Sequence, residues 1–270
     1  FRVQVVSGMV NEKNRETLGW YVISYTKSGA ATGAVDLARK CAIQAPRQTL
    51  SACMIIGGKQ EGHLYKCIEA VYNIADEIII CDTGMSARSR EVLSKYMDKV
   101  KIIPDAPNPL QAGFDEARNF GLPHATKEWV LWVDSDEELL RPAQVFKYLR
   151  ANCYEGYSVR QHHFSAQPPN AFNPDLPTRL FRNNRGIKFF GVIHEHPETA
   201  INAGIGESTI LSDVDIAHNG YLTEDVRRKR FERNYGLMLR DREKYPDRAL
   251  GKFLMMRDWV HKARYIRERT

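Results

Sequence analysis

No apolar run in the 270-residue chain approaches the roughly 20 residues that a transmembrane helix needs, which excludes a helical membrane span in this sequence. A secretory leader is also missing, and because the chain opens on Phe1 it reads as an excerpt of a longer polypeptide. The five cysteines, at 41, 53, 67, 81 and 153, show no paired spacing, which argues against a disulfide frame or a zinc site. Cys53 and Cys81 fall in apparent strands and Cys67 in an apparent helix, so they read as buried thiols of a reducing, cytoplasmic compartment. Two phosphate-binding signatures are absent as well. Gly57, Gly58 and Gly62 follow the first strong strand, but not at the G-x-G-x-x-G spacing, and no G-x-x-x-x-G-K-[ST] loop occurs. Nor is there an excess of acid: the formal net charge is +6, which suits a nucleotide diphosphate or nucleic acid but has bland causes too.

What is present centres on residues 127–140, Lys-Glu-Trp-Val-Leu-Trp-Val-Asp-Ser-Asp-Glu-Glu-Leu-Leu. Residues 129–133 read as a strand buried on both faces, ending abruptly in Asp134, Ser135, Asp136 and Glu137. Stacked carboxylates repel one another and are costly to desolvate, so something positive belongs there. A solvated turn with a capping Asp is the plain reading. Two acids separated by one small residue also suit a hard divalent cation shared with substrate phosphates.

From Leu50 the chain alternates strand and helix. The pattern predicts strands at 51–56, 77–81, 100–103 and 129–133, with helices at 63–75, from Ser86 to about 96, and over 111–121. Such alternation implies a parallel sheet with helices on both faces, ligands binding outside the carboxyl ends of the strands, where Gly57, Asp82 and Asp134 fall. Beyond Pro142 the alternation stops; residues 156–164, 178–182, 187–193 and 209–217 look extended. On an extended chain His194 and His196 share one face and Glu195 takes the other. Two amphipathic helices follow, one capped by Thr223 with Phe231, Tyr235 and Met238 on its apolar stripe. The second starts near Arg248, with Ala249, Phe253, Met256 and Val260 on one face, and the pair should pack as a hairpin. The first 48 residues offer segments 3–6 and 20–24 as strands and 31–43 as a helix, but no chemistry.

Four separated segments then match one pattern. They are 50–71, beginning near Cys-Met-Ile-Ile; 76–84, Asp-Glu-Ile-Ile-Ile-Cys-Asp-Thr-Gly; 114–138, with Ala-Arg-Asn and Asp-Ser-Asp-Glu; and 179–195, with Arg-Leu-Phe-Arg-Asn and His-Glu. In order and spacing the chain resembles the family 2 glycosyltransferases of GT-A fold, in the branch of lipopolysaccharide-core glucosyltransferases and peptide S-glycosyltransferases. The resemblance implies an α/β GT-A domain over 49–221, Rossmann-like and mostly parallel, with a C-terminal helical hairpin over 222–270 and an N-terminal segment, 1–48, of unassigned role.

The resemblance implies a nucleotide-sugar donor, a UDP-sugar by preference, and Mn²⁺ or Mg²⁺. Carried over, Asp82 would bind the base, with Glu61 as a stand-in for a loop acid that relatives carry. Asp136 and Asp134 would hold the metal against the diphosphate, Ser135 would lie against the donor, Arg118 would stand near the nucleotide or the acids, and His194 or His196 would add a metal or phosphate contact. Glu195 would be the base of an inverting displacement, with Asp175 and Asp215 as reserves. Two departures weaken uridine specificity: the loop 57–62 is one residue longer than usual, and Ala87 stands where an acid is common. A sugar-1-phosphate nucleotidyltransferase is disfavoured because the 57–62 loop is a poor match to its Gly-rich loop. A non-catalytic scaffold that binds nucleic acid or assembles a longer protein is the alternative from another class. The acceptor (glycan, protein or nucleic acid) and the oligomeric state are left open by the sequence.

Overall fold

The computed structural model describes residues 4–7, 10–11, 16–17, 20–23, 47–58, 61–149, 155–163, 175–197, 208–218 and 224–267. The helix expected at 31–43 and the cap expected at Thr223 lie outside these residues. Near the N-terminus, β1 (Gln4–Ser7) pairs antiparallel with β4 (Trp20–Ile23), and β2 (Val10–Asn11) with β3 (Glu16–Thr17).

The main body is an eight-stranded mixed sheet. Its first half follows the expected alternation: β5 (Leu50–Ile56), α1 (Glu61–Tyr72), β6 (Glu77–Asp82), α2 (Ala87–Leu93), β7 (Val100–Ile103), α3 (Phe114–Gly121) and β8 (Trp129–Trp132). All its pairings are parallel. Alternate residues of β5 enter two cores, Ala52, Met54 and Ile56 on one face and Cys53 and Ile55 on the other, which is why the strand is an unbroken apolar run. Ser86 caps α2 by accepting from Ser89 N, as its position suggests.

The second half consists of β9 (Glu137–Leu140), β10 (Gly156–His163), β11 (Thr178–Arg182) and β12 (Ser208–His218), with a one-turn α4 (Val145–Tyr148) between β9 and β10. The strand order is β7-β6-β5-β8-β11-β10-β12-β9. Sequence pattern missed β9 because its two acids hide a strand whose Glu137 and Leu139 face inward and whose Glu138 and Leu140 are only half-buried. Only four residues join β8 to β9, yet three strands separate them. A flat sheet would put them about 19 Å apart at 4.8 Å per strand, more than that folded turn reaches, so the sheet curls back on itself. The curl brings β9 and β12 round to the acidic turn.

Residues 187–193, expected as a strand or extended segment, form an irregular loop with a bridge from Phe190 to His196. Gly191 (φ +115°) and His194 (φ +52°) have left-handed backbones, which a strand cannot accommodate. The two terminal helices, α5 (Glu224–Lys244) and α6 (Ala249–Arg267), form the expected hairpin. Its orientation differs from the expected one. Phe253, Met256 and Val260 are exposed, at 55%, 59% and 48%, while Leu254 and Asp258 face inward. On α5, Met238 and Leu237 are buried and Tyr235 half-buried; they pack with Leu254, Val192 and Ile193. The inward face of α6 is thus chosen by its contacts with α5 and the 190–196 loop rather than by the strongest apolar stripe.

Candidate active site

The acidic turns after β6 and β8 lie at the same end of the sheet. β5 runs parallel to both neighbours, and the register sets Ile56 beside Asp82 and Cys53 beside Trp132. That rim is where ligands of open parallel sheets bind.

Asp134 accepts two guanidinium groups. Arg118 donates from Nη1 to Oδ1 at 2.7 Å and from Nη2 to Oδ2 at 3.2 Å, and Arg179 Nη2 reaches Oδ2 at 3.3 Å. Arg179 Nη2 also donates to Glu137 Oε1 at 2.6 Å, and Gln161 Nε2 donates to the same oxygen. The backbone N–H of Asp134 closes the turn on Glu137 Oε2 at 2.8 Å. On its other edge, Arg118 Nε donates to Glu195. Five side chains therefore form one line, Glu195–Arg118–Asp134–Arg179–Glu137, three carboxylates against two guanidiniums. Arg118 is 6% exposed and lies over the Trp132 ring, 5.0 Å from its centroid, so the fork is fixed by packing as well as charge.

Titration along the line is set by burial and by the two arginines. Burial would raise the Asp134 pKa, but Arg118 and Arg179 overcome it and hold the carboxyl well below its usual range. Glu137 goes the other way. Burial pushes it up to about 7, with the Asp134 charge adding and Arg179 opposing.

Asp136 faces a different set. His218 Nε2 stands 3.4 Å from Asp136 Oδ2; His218 Nδ1 meets His163 Nδ1 at 2.9 Å; and His163 Nε2 meets Asp175 Oδ2 at 2.9 Å. Strand register brings these together, since His163 is the β10 partner of His218. Asp215, three residues earlier on β12, alternates to the opposite face and pairs with Arg141 and Arg160.

Asp82 is 8% exposed. Its Oδ1 accepts from the N–H groups of Gly84 at 3.0 Å and Met85 at 2.7 Å, and Oδ2 pairs with the half-exposed Arg90. Burial would raise its pKa, but those N–H groups and Arg90 lower it. Glu61 opens α1. Ser135 is buried in the acidic turn.

The resemblance implied Asp136 and Asp134 at a cation, with His194 or His196 adding a metal or phosphate contact. Among the described residues no three His, Cys, Asp or Glu side chains come together in a metal-holding set. The loop carrying both histidines is not extended, and the His194 imidazole Nε2 is buried without a hydrogen-bond partner. Burial, reinforced by Arg257 and Arg248, takes its pKa down to about 4. The charge partner of Glu195 is Arg118. Sequence reasoning assigned no role to Arg179, Glu137, Gln161, His163 or His218. A charged residue within an otherwise apolar strand, as in Thr-Arg-Leu-Phe-Arg, was the available signal for Arg179.

Comparison with known proteins decides the family. The family model described as Glycosyl transferase family 2 matches residues 52–207. The chain belongs to this family. It is 30% identical over 149 residues to a TPR repeat-containing protein of Synechococcus elongatus, covering 54% of this chain and 34% of that protein. It is 24% identical over 179 residues to the SPbeta prophage-derived glycosyltransferase SunS of Bacillus subtilis, covering 63% of this chain and 39% of SunS. The chain thus spans little more than a third of the length of these relatives. Among solved structures it is similar to the mannosyltransferase PcManGT from Pyrobaculum calidifontis in complex with GDP-Man and Mn²⁺, with a TM-score of 0.53 and 14% identity over 76% of this chain and 69% of that one. That likeness agrees with a GT-A architecture for this family 2 domain. No helix among its described residues is long and apolar enough to cross a membrane.

Proposed function

We propose that this family 2 domain, over 49–221 with the helices of 222–270 packed on it, is an inverting, metal-dependent glycosyltransferase of the cytoplasm using a nucleotide-sugar, a UDP-sugar by preference. The observation that carries the reading is the shared guanidinium of Arg118, which ties Glu195 to Asp134 at the rim where Asp82 also lies. A donor acid and a base are thereby held in one rigid frame.

The donor chemistry at the rim fits a hard cation. Two guanidiniums already engage Asp134, whereas Asp136 presents a carboxylate beside His218. One carboxylate completed by substrate phosphates and water is an ordinary way to hold Mg²⁺ or Mn²⁺. Asp136 would hold it, and the ion would stabilise the departing diphosphate as a Lewis acid. Asp82 would meet the base once the exposed Arg90 swings aside. Glu195 takes the proton from the acceptor as the new bond to the anomeric carbon forms and the bond to the diphosphate breaks. Arg118 holds that carboxylate toward the anomeric centre and, through Asp134, fixes its distance from the donor.

The test is UDP and GDP release from their sugars, with and without Mn²⁺, with mass detection of products on glycan, peptide and nucleic-acid acceptors. Metal-dependent release that Asp136→Ala abolishes supports the reading. Absence of donor binding by any nucleotide-sugar would favour the scaffold alternative.

A further inference from the structure

The loop that carries Glu195 is built around a buried ion pair from the helical hairpin. Asp241, near the end of α5, is 1% exposed. Its Oδ1 accepts from the backbone N–H of Val192 at 2.8 Å. Arg248, at the mouth of α6, donates from Nη1 to both Asp241 oxygens at 2.9 Å. The same Nη1 reaches the Ile193 carbonyl at 3.0 Å, and Nη2 donates to the His194 carbonyl. Three consecutive residues before Glu195 are therefore pinned by one Asp–Arg pair.

The surroundings are shaped for this pair. A Cβ on Gly191 would overlap the Arg248 guanidinium, and one on Gly251 would overlap Asp241 Oδ2. From the opposite side, Phe114 N at the start of α3 donates to the Val192 carbonyl at 2.8 Å. The hairpin itself is tied to the same turn of α3, since Lys244 Nζ and Tyr245 Oη meet Asp115 Oδ2 at 2.9 and 2.6 Å. His194 keeps a left-handed backbone between these anchors, the kind of conformation that persists only when its surroundings over-determine it.

We propose that Asp241 and Arg248 are positioning residues for Glu195, so that the helical hairpin is part of the catalytic apparatus of the sheet domain rather than an appendage. The inference rests on the reading of Glu195 as the base. The clamp fixes the backbone at 192–194, and Arg118 then receives the Glu195 carboxylate at the far end of the loop. A misplacement of about 1 Å in such a group costs on the order of 10²-fold in rate.

The experiment uses Arg248→Lys, Asp241→Asn and, as a milder probe, Gly251→Ala, which crowds Asp241 while favouring the helix. Amide hydrogen exchange at Val192 and the residues through His196 should rise at least about tenfold in the first two, with no change across β5 to β8. UDP affinity with Mn²⁺ should stay within about twofold, and the rate of transfer should fall roughly 10- to 100-fold with donor KM unchanged. The Glu195→Gln background should erase that loss, because the clamp acts only through the base. Unchanged exchange in the loop overturns the proposal, as does a rate loss that adds in full to that of Glu195→Gln. Donor affinity and transfer falling together would show a merely structural clamp and overturn it too. If instead Glu195→Gln alone leaves transfer intact, the base assignment fails while the exchange result still stands.

Discussion

The two halves of the sheet bury different things. In the parallel half, β5 to β8, the described buried side chains are apolar apart from Ser51 and the rim residue Asp82. In the half that curls back, β9 to β12, Glu137, Gln161, Thr178, Arg179, Asp215 and His218 are all buried. The first half is held by area removed from water; the second adds to an apolar core of its own, Leu139, Val159, Leu180 and Ile216 among it, a set of charges that need each other. A fold of this kind can place its rim with one half and build the chemistry inside the other, because the curl carries polar strands up to the acidic turn.

The contrast predicts different responses to substitution. Arg179→Met takes one guanidinium from the buried Glu137 and the half-buried Asp134 and should cost about 3–5 kcal/mol in urea unfolding. Ile79→Val, fully buried in the parallel half, should cost only about 0.5–1.5 kcal/mol. Adding Glu137→Leu to Arg179→Met should recover part of the loss. If Arg179→Met is as mild as Ile79→Val, the ionic line is not what holds the second half.

The pH dependence of stability sharpens the same comparison. Glu137 keeps its proton in the folded state up to about 7, whereas an unfolded glutamate loses it near 4.5. Its contribution is therefore present below about 4.5 and lost as pH rises to about 7. His194 has the opposite sign. Its folded pKa of about 4 against 6.5 unfolded makes its contribution full above 6.5 and lost as pH falls toward 4. The two offset each other in the natural chain. Glu137→Gln should leave stability that rises with pH across this window, and His194→Asn, which tolerates the left-handed backbone, stability that falls. Each slope should amount to on the order of 1–3 kcal/mol, read from urea midpoints at several pH values. Slopes of the same sign in both variants would contradict the opposite shifts of Glu137 and His194.

How much of this was legible in the sequence differs between the halves for the same reason. Apolar runs announce β5, β6 and β8 because each of these strands is buried on both faces, and Asp82 and Asp134 mark the ends of the last two. β9 was hidden because its Glu137 is an inward-facing charge. Nor could the pattern place the 187–193 loop: it is fixed by Asp241, Arg248 and Phe114, three contacts from distant positions. Periodicity picked the wrong face of α6 because it assumes that the most apolar stripe is the buried one. Phe253→Ser checks that correction, and the smallest effect belongs to it: a change within about 0.5 kcal/mol, as for a surface site. A loss of several kcal/mol would return Phe253 to the core.

The most direct measurement of the central claim, that Glu195 is the base held to the donor site through Arg118, is Glu195→Gln assayed on the acceptor found by mass detection. Transfer should fall on the order of 10²- to 10⁴-fold, the usual contribution of a positioned base, while calorimetric binding of UDP with Mn²⁺ stays unchanged. Loss of UDP binding together with transfer would contradict the assignment and make Glu195 a support of the donor site, leaving Asp175, on the His163–His218 chain to Asp136, as the next acid to test.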